Sequence, residues 1–326
     1  WNDTNGVSTV WVAVPALSGT NDFIWAYWGD PAPTNALPST NVWVPNYTLV
    51  WHMKEGALPF ADSTSQYPAT NGVAPAAVPG LVGLGGAFTG NAYLDPGPVD
   101  LGDAFSLSAW VNIASTADNI QAVWVNSKGG WNADGCQFFV NTYNTHDGVL
   151  HCNTGNGTTG NDTTSAAGAV SPGQWHQVTA VVDRSAARIR LYVDGLSATA
   201  SGGAVSDFAN QSDLNLGRFT DTAFPMNGLV DEVRIASSTN SAAWVWASYR
   251  TVAANSTFQS YSAVNGAAGV TLNVQVTAGQ PVLAWTQGTL QSVGQLGGTW
   301  TDVTGATSPY TVPVSGNQQF YRLRVP

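Results

Sequence analysis

The run FSLSAWVNI, residues 105–113, alternates with a period of two: Phe105, Leu107, Ala109, Val111 and Ile113 take one parity, Ser106, Ser108 and Asn112 the other. Successive side chains of a strand point to opposite faces, so the pattern reads as a half-buried β-strand. HQVTAVVD (176–183) and RIRLYVDG (188–195) repeat it, separated by Arg184, Ser185, Ala186 and Ala187, which is a hairpin signal. GLVDEVRIA (228–236) reads as another strand. One convincing helix stands out, SAAWVWASYRTVA (241–253), with Asn240 and Ser241 placed to cap it. Strand after strand with Gly, Asn, Asp and Pro between them predicts an all-β fold, an antiparallel jelly-roll sandwich.

Three regions separate outward from that core. Residues 1–49 carry the strand-like runs WVAVPAL and FIWAYWG and then a Pro-rich link, DPAPTNALPSTNVWVP. Residues 50–253 form the main body. A linker over 254–267, rich in Ala, Asn and Ser, leads to residues 268–326, where TLNVQV, PVLAWTQ, TWTDV, YTVPV and QFYRLRV read as five strands of a small C-terminal β-sandwich. No tandem repeat is evident.

The composition narrows the function classes. Only 9% of the 326 residues are charged, against a usual share of about 25%, so Asn, Thr, Ser and Gln solvate the surface, as in many secreted β proteins. A formal net charge of −10 argues against a nucleic-acid partner, which needs a basic stripe, and gives a membrane surface little to attract. No run approaches the ~18 apolar residues of a transmembrane helix. The opening WNDTNGVSTVWVAV has neither a charged start nor a long apolar stretch, and the chain reads as a mature or trimmed form.

Catalytic pairs are scarce. The glutamates are Glu55 and Glu232 alone. A retaining glycosidase needs two carboxyls about 5–5.5 Å apart in one cleft, yet Asp231 and Glu232 are adjacent and point to opposite faces of a regular strand. The histidines (His52, His146, His151, His176) lie in no GxSxG, HExxH or CxxC…CxxC context. His52 and His176 read as structural and His146 as a solvated turn residue. The expectation is a protein with no catalytic residues, not an enzyme.

Cys136 and Cys152 flank the hairpin-like CQFFVNTYNTHDGVLHC. Paired strands would bring them within bridging distance, which favours a disulfide and an oxidising compartment. The alternative is two buried free thiols.

The phrases Asp62-Ser63-Thr64, GGAFTGNAYLD (85–95), FSLSAWV (105–111), GQWHQVTAVVD (173–183), IRLYVDG (189–195), LNLGR (214–218) and GLVDEVRI (228–235) occur in an order that resembles a laminin-G-like domain of the concanavalin-A-like jelly-roll superfamily. Within it Trp110 and Trp175 read as core fillers on inner sheet faces, and Arg234 alternates away from Val233 and Ile235. The segment WVAVPALSGTNDFIWAYWGDP with VWHMKEG resembles the tail of a module that commonly precedes such domains in bacterial surface proteins, without that module's beginning. Half a β module leaves strands without partners.

The resemblance implies a structural Ca²⁺ near the jelly-roll rim, with Asp62 and Asp231 as side-chain ligands and the turn TNG (70–72) adding oxygens. Asp62 making an Asx-turn with Thr64, and Asp231 pairing with an arginine, stand as alternatives. For glycans, WVNSKGGWNADG (124–135) is the candidate platform, presenting Trp131 beside Asn126, Asn132 and Asp134; tryptophans engaged in packing are the alternative. For self-assembly, Trp11, Val12, Val14, Phe23, Trp25 and Tyr27 lie in a region with almost no charge and no gatekeeper lysine, suited to strand addition onto a neighbouring copy or to docking on the chain's own jelly roll. The sequons NDT, NYT, NGT, NQS and NST occur, some of them expected by chance in an Asn/Thr-rich chain. The sequence therefore predicts a secreted or cell-surface, non-catalytic structural or adhesive protein that binds glycans or copies of itself. A soluble carbohydrate-binding module and a jelly-roll glycoside hydrolase are the alternatives.

Overall fold

The structure is a computed structural model that describes residues 9–14, 24, 39–209, 212–260, 270–295, 298–313 and 318–324. The chain divides into two compact units, Trp1–Gln259 and Ser260–Pro326.

The first unit is an all-β, antiparallel jelly-roll sandwich of two eight-stranded sheets. At the centre of the first sheet is the predicted strand Ala104–Ile113. It pairs with His176–Asp183 on one side and Gly228–Ala236 on the other. The hairpin partner Arg188–Val193 lies beyond His176–Asp183. The second sheet runs from Thr199–Ser201 through Gly160–Ser165, Leu150–Gly155, Gly135–Val140, Gln121–Val125, Asn215–Leu216 and Tyr93–Asp95 to Asn71–Val73.

The period-two pattern of the central strand explains the layering. Phe105, Leu107, Ala109, Val111 and Ile113 all enter the core between the sheets. Trp51 from the first sheet and Trp124 from the second meet there with ring centroids 5.5 Å apart, both fully buried. Each large apolar side chain buried this way contributes about 1.5–3 kcal/mol.

Trp110 departs from the expectation of an inner-face filler. It shares the parity of Ser106 and Ser108, so it leaves the core and stacks on Tyr249, centroids 5.6 Å apart. Tyr249 belongs to the predicted helix, Ala242–Ala253, whose cap Ser241 accepts the Trp244 N–H at 3.2 Å. The helix thus roofs the outer face of the first sheet, with Val245 buried against Val181 and Tyr192. Trp175 is only half-buried.

Gly228–Ala236 contains a bulge. Asp231 pairs with Trp110 and Arg234 with Ser108, so three steps on one strand oppose two on its partner. The extra residue leaves Glu232 at φ 48°, and the core parity shifts from Val230 to Val233 and Ile235. Before the bulge the strand's other edge pairs with Leu84–Phe88, and after it with Tyr47–Trp51.

The expected disulfide is corrected. Cys136 and Cys152 are free buried thiols whose Sγ atoms are 4.0 Å apart. Cys136 pairs with Thr154 and Cys152 with Phe138, so the thiols are diagonal neighbours in the ladder rather than directly opposite. Both belong to the apolar core.

The second unit holds two three-stranded sheets. Asn273–Thr277, Gln280–Ala284 and Tyr310–Thr311 form one, and Thr289–Val293, Thr301–Asp302 and Phe320–Arg324 the other. The strand Thr289–Val293 is an addition to the five read from sequence. Asn273–Thr277 is an edge strand exposed along its whole length, with Val274 and Val276 turned to solvent.

Candidate functional site

At one end of the second sheet, three short strands place polar side chains on its outer face. Leu94 and Leu216 point into the core, so their neighbours Tyr93, Asp95 and Asn215 point outward. Asn71 pairs with Asp95 across the last ladder of this sheet. Gly217 follows Asn215–Leu216 at φ 94°, and a Cβ there would meet the Phe88 ring at 2.6 Å. Only glycine fits this turn, which carries Arg218 back over the same face.

These residues enclose a recess of about 370 Å³, completed by Ser212, Asp213 and Thr220. The Arg218 guanidinium lies over the Tyr93 ring, 3.2 Å from its centroid. The Arg218 Nε is buried without an acceptor. Asn215 is 4% exposed; its amide donates to the Asp213 carbonyl at 3.4 Å while its Oδ1 has no partner. Asp95 is engaged on both oxygens, accepting from the Asn71 amide at 2.8 Å and the Gly97 N–H at 2.7 Å. The wall therefore offers a buried acceptor, a planar set of donors and an aromatic ring, all within one small volume.

The loop that carries Trp131 adjoins this site. It follows Val125, which pairs with Asn215. Gly129 N–H donates to Asp221 and Thr220 N–H to the Ser127 carbonyl, both at 3.0 Å, tying the two loops together. Trp131 itself is 61% exposed. The three polar residues read beside it do not converge on it. Asn126 is buried and accepts the Cys136 N–H at 2.7 Å, so it closes the loop from inside. Asn132 donates to the Thr158 carbonyl, and Asp134 accepts the Ala209 N–H. Neither Trp131, Asn132 nor Asp134 lines the recess. Sequence reasoning missed Arg218 and Asn215, although both lie in the quoted LNLGR; the adjoining glycine was the available signal.

The two carboxylates read as calcium ligands are surrounded by hydrogen-bond donors. Asp62 accepts backbone N–H groups of Val50, Thr64, Gln66 and Tyr67 at 2.8–3.0 Å, and the Thr64 hydroxyl as well. The Asx-turn with Thr64 is among these. Asp231 accepts from Leu81 at 2.8 Å, Val82 at 2.9 Å and the Glu232 N–H at 2.8 Å. The amide oxygen of Asn71 accepts the Gly72 N–H. N–H donors thus already engage each of these oxygens. Among the described residues no three His, Cys, Asp or Glu side chains group to hold a metal ion. Burial, then the charge of Glu232, pushes the Asp231 carboxyl up to about 7.

Other titratable groups form pairs outside the recess. Glu232 accepts from His52 Nδ1 and from Arg234, each at 2.7 Å. Burial pushes its carboxyl up, but Arg234 and His52 outweigh that and hold it below its ordinary value. Arg234, rather than Asp231, is thus the member of an ion pair here, with Glu232 as its partner. Trp11 covers this cluster, 4.2 Å from the Arg234 guanidinium and stacked on His52. Trp11 therefore docks on its own jelly roll, whereas Val12 and Val14 face solvent; Phe23, Trp25 and Tyr27 lie outside the described residues. His176 bridges the Ser171 hydroxyl at 2.7 Å and Asp194 at 2.8 Å. Its Nε2 also receives the Ser171 N–H, so this row of groups pins a turn to the Asp194 hairpin.

Residues 85–246 match the laminin-G-like family model described as the concanavalin A-like lectin/glucanases superfamily, so this segment is a laminin-G-like domain. No curated protein matches the chain in sequence. Among solved structures, domain 4 of an extracellular arabinanase from Geobacillus stearothermophilus is 17% identical, covering 62% of this chain and 97% of that one, with a TM-score of 0.47. A sialidase from Trypanosoma rangeli is 12% identical, covering 66% and 34%, with a TM-score of 0.49. The CBM40 module of a Ruminococcus gnavus sialidase is 17% identical, covering 45% and 83%, with a TM-score of 0.38. Likenesses at this level carry no functional argument.

Proposed function

We propose that the chain is a non-catalytic, secreted or cell-surface protein whose laminin-G-like unit binds glycans in the rim recess. One observation carries this reading: Asn215 Oδ1 is buried without a partner in a recess otherwise lined by polar side chains and Tyr93. A buried acceptor left unpaired costs free energy, and a ligand hydroxyl is the group that would satisfy it. Hydroxyls also suit the Asp213, Ser212 and Thr220 walls, and Tyr93 gives a sugar an apolar edge. The volume lies within the ~300–1,000 Å³ of small-molecule sites.

The test is a glycan array followed by calorimetry on hits. Binding is expected to fall about tenfold or more in Asn215→Leu and to survive Trp131→Ala. Failure to retain any glycan would remove the proposal. Loss in Trp131→Ala but not Asn215→Leu would move the site to the exposed tryptophan.

A second reading, assembly of copies by strand addition, is favoured by two uncharged, exposed strand-length segments. Val10, Val12 and Val14 are exposed near the N-terminus, and Val274 and Val276 on an edge strand of the second unit. Neither segment has the lysine or proline that blunts an edge. Filaments or oligomers abolished by Val12→Lys or Val276→Lys would support it. A monodisperse monomer at high concentration would end it.

A further inference from the structure

We infer that the recess selects a carboxylated sugar, with the carboxylate taken by Arg218. This rests on the glycan-binding reading above and adds the class of ligand. Acids outnumber Lys and Arg two to one, 20 against 10. Arg184, Arg234 and Arg324 pair with Asp or Glu, Arg250 and Arg322 hydrogen-bond to Thr257 and Gln291 instead, and Arg188 is exposed. Arg218 makes no ion pair or hydrogen bond among the described residues, and its guanidinium lies over the flat face of Tyr93.

That isolation is not due to a lack of acids nearby, since Asp95 and Asp213 line the same recess. Asp95 instead turns its oxygens to the Asn71 amide and the Gly97 N–H. A half-buried charge left uncompensated is costly, and stacking on a ring engages the face of the guanidinium plane rather than the edge that carries its N–H groups, while Arg218 itself lines the recess. The fork geometry of those donors matches the two oxygens of a carboxylate. A neutral sugar would engage Arg218 only through single hydroxyls and leave the charge unanswered. The buried Asn215 Oδ1 needs a donor rather than an anion, and Asp213 repels a second negative group. The complementary ligand therefore carries one carboxylate per unit with free hydroxyls beside it, as uronic acids do.

The experiment uses the full chain and calorimetry with oligogalacturonate and oligoguluronate, each set against its methyl ester, which keeps the ring and removes the charge. The acids are expected to bind about 10- to 100-fold more tightly than the esters, with affinity falling as salt rises. Arg218→Gln should erase the difference between acid and ester. Asn215→Leu should weaken both forms alike and keep their ratio. Thermal melts of both variants should match the wild type. Esters binding as well as acids would overturn the inference while leaving glycan binding in place. So would an acid preference that persists in Arg218→Gln. If neither form of either probe binds but neutral glycans do, selection for the carboxylate is again wrong; if nothing binds, both readings fall.

Discussion

Glu232 and Arg234 lie two positions apart on one strand and meet as a buried ion pair at 2.7 Å, on the side of the sheet that the bulge at Glu232 turns away from the core. The pair answers why a chain so poor in glutamate buries one of its two. His52 Nδ1 adds a second hydrogen bond to Glu232 from the neighbouring segment, and Trp11 and Trp43 cover the guanidinium. Removing one partner of such a pair leaves the other charge in a low-dielectric site. Glu232→Ala is therefore expected to cost about 3–5 kcal/mol in a urea titration, and Glu232→Gln less, because its amide oxygen still accepts from Arg234. A wild-type midpoint in Glu232→Ala would show that the pair carries no weight.

Asp231 makes stability fall with pH. Its carboxyl is raised from the ordinary 3.8 to about 7 by burial and by Glu232. The folded state therefore holds a proton that the unfolded state has released, and the contribution is full below the ordinary value and lost as pH rises towards 7 and beyond. Glu232, held low, acts in the opposite sense, its contribution fading only in acid. The melting temperature should decline between about pH 4 and pH 7, and Asp231→Asn should flatten that decline whatever its effect on absolute stability. An unchanged slope in the variant would assign the dependence elsewhere.

Asp62 holds a turn by its backbone. Four N–H groups and a hydroxyl converge on its carboxylate, which is 7% exposed. Asp62→Ala strands these donors in a dry site, and a loss of about 3 kcal/mol or more is expected. Asp62→Asn should recover only part of it. Calcium titration of the wild type should leave its melting temperature unchanged, since the same oxygens are already filled with donors.

The thiols should be silent in the native protein. Both are buried, and the hydrogen bond with Cys136, followed by burial, raises the Cys152 thiol well above its ordinary value. The thiolate is the reactive form, so neither should label at neutral pH until the protein unfolds. Rapid native labelling of two thiols would contradict the burial, and absence of both thiols after unfolding would indicate a bridge.

Much of the sandwich was legible in its alternation. The five apolar residues of FSLSAWVNI enter the core as their parity requires, and Ser241 caps the one long helix. Trp110 follows parity rather than size: it sits with the serines, under Tyr249. The bulge was not legible, since a left-handed conformation at a glutamate leaves no signature in the sequence. The recess was hidden for a different reason. Its parts come from three separated places, around Asn71, Tyr93 to Asp95, and Ser212 to Thr220. Only pairing of short strands, one of them two residues long, brings them together. The loop around Trp131 looked more like a site because its residues are contiguous, yet contiguous residues of a turn diverge.

The extra residue at Glu232 also sets what changes in length the chain can accept. Deleting Glu232 would leave a regular strand in the same register, with Val233 and Ile235 still facing the core opposite Ala109 and Leu107. Deleting a second residue there would invert every side chain after it, driving Arg234 inward, unless the paired segment Tyr47–Trp51 slid with them. Loops elsewhere in this unit can gain or lose residues at its surface. Along Gly228–Ala236, by contrast, the pairing leaves one surplus residue and no more.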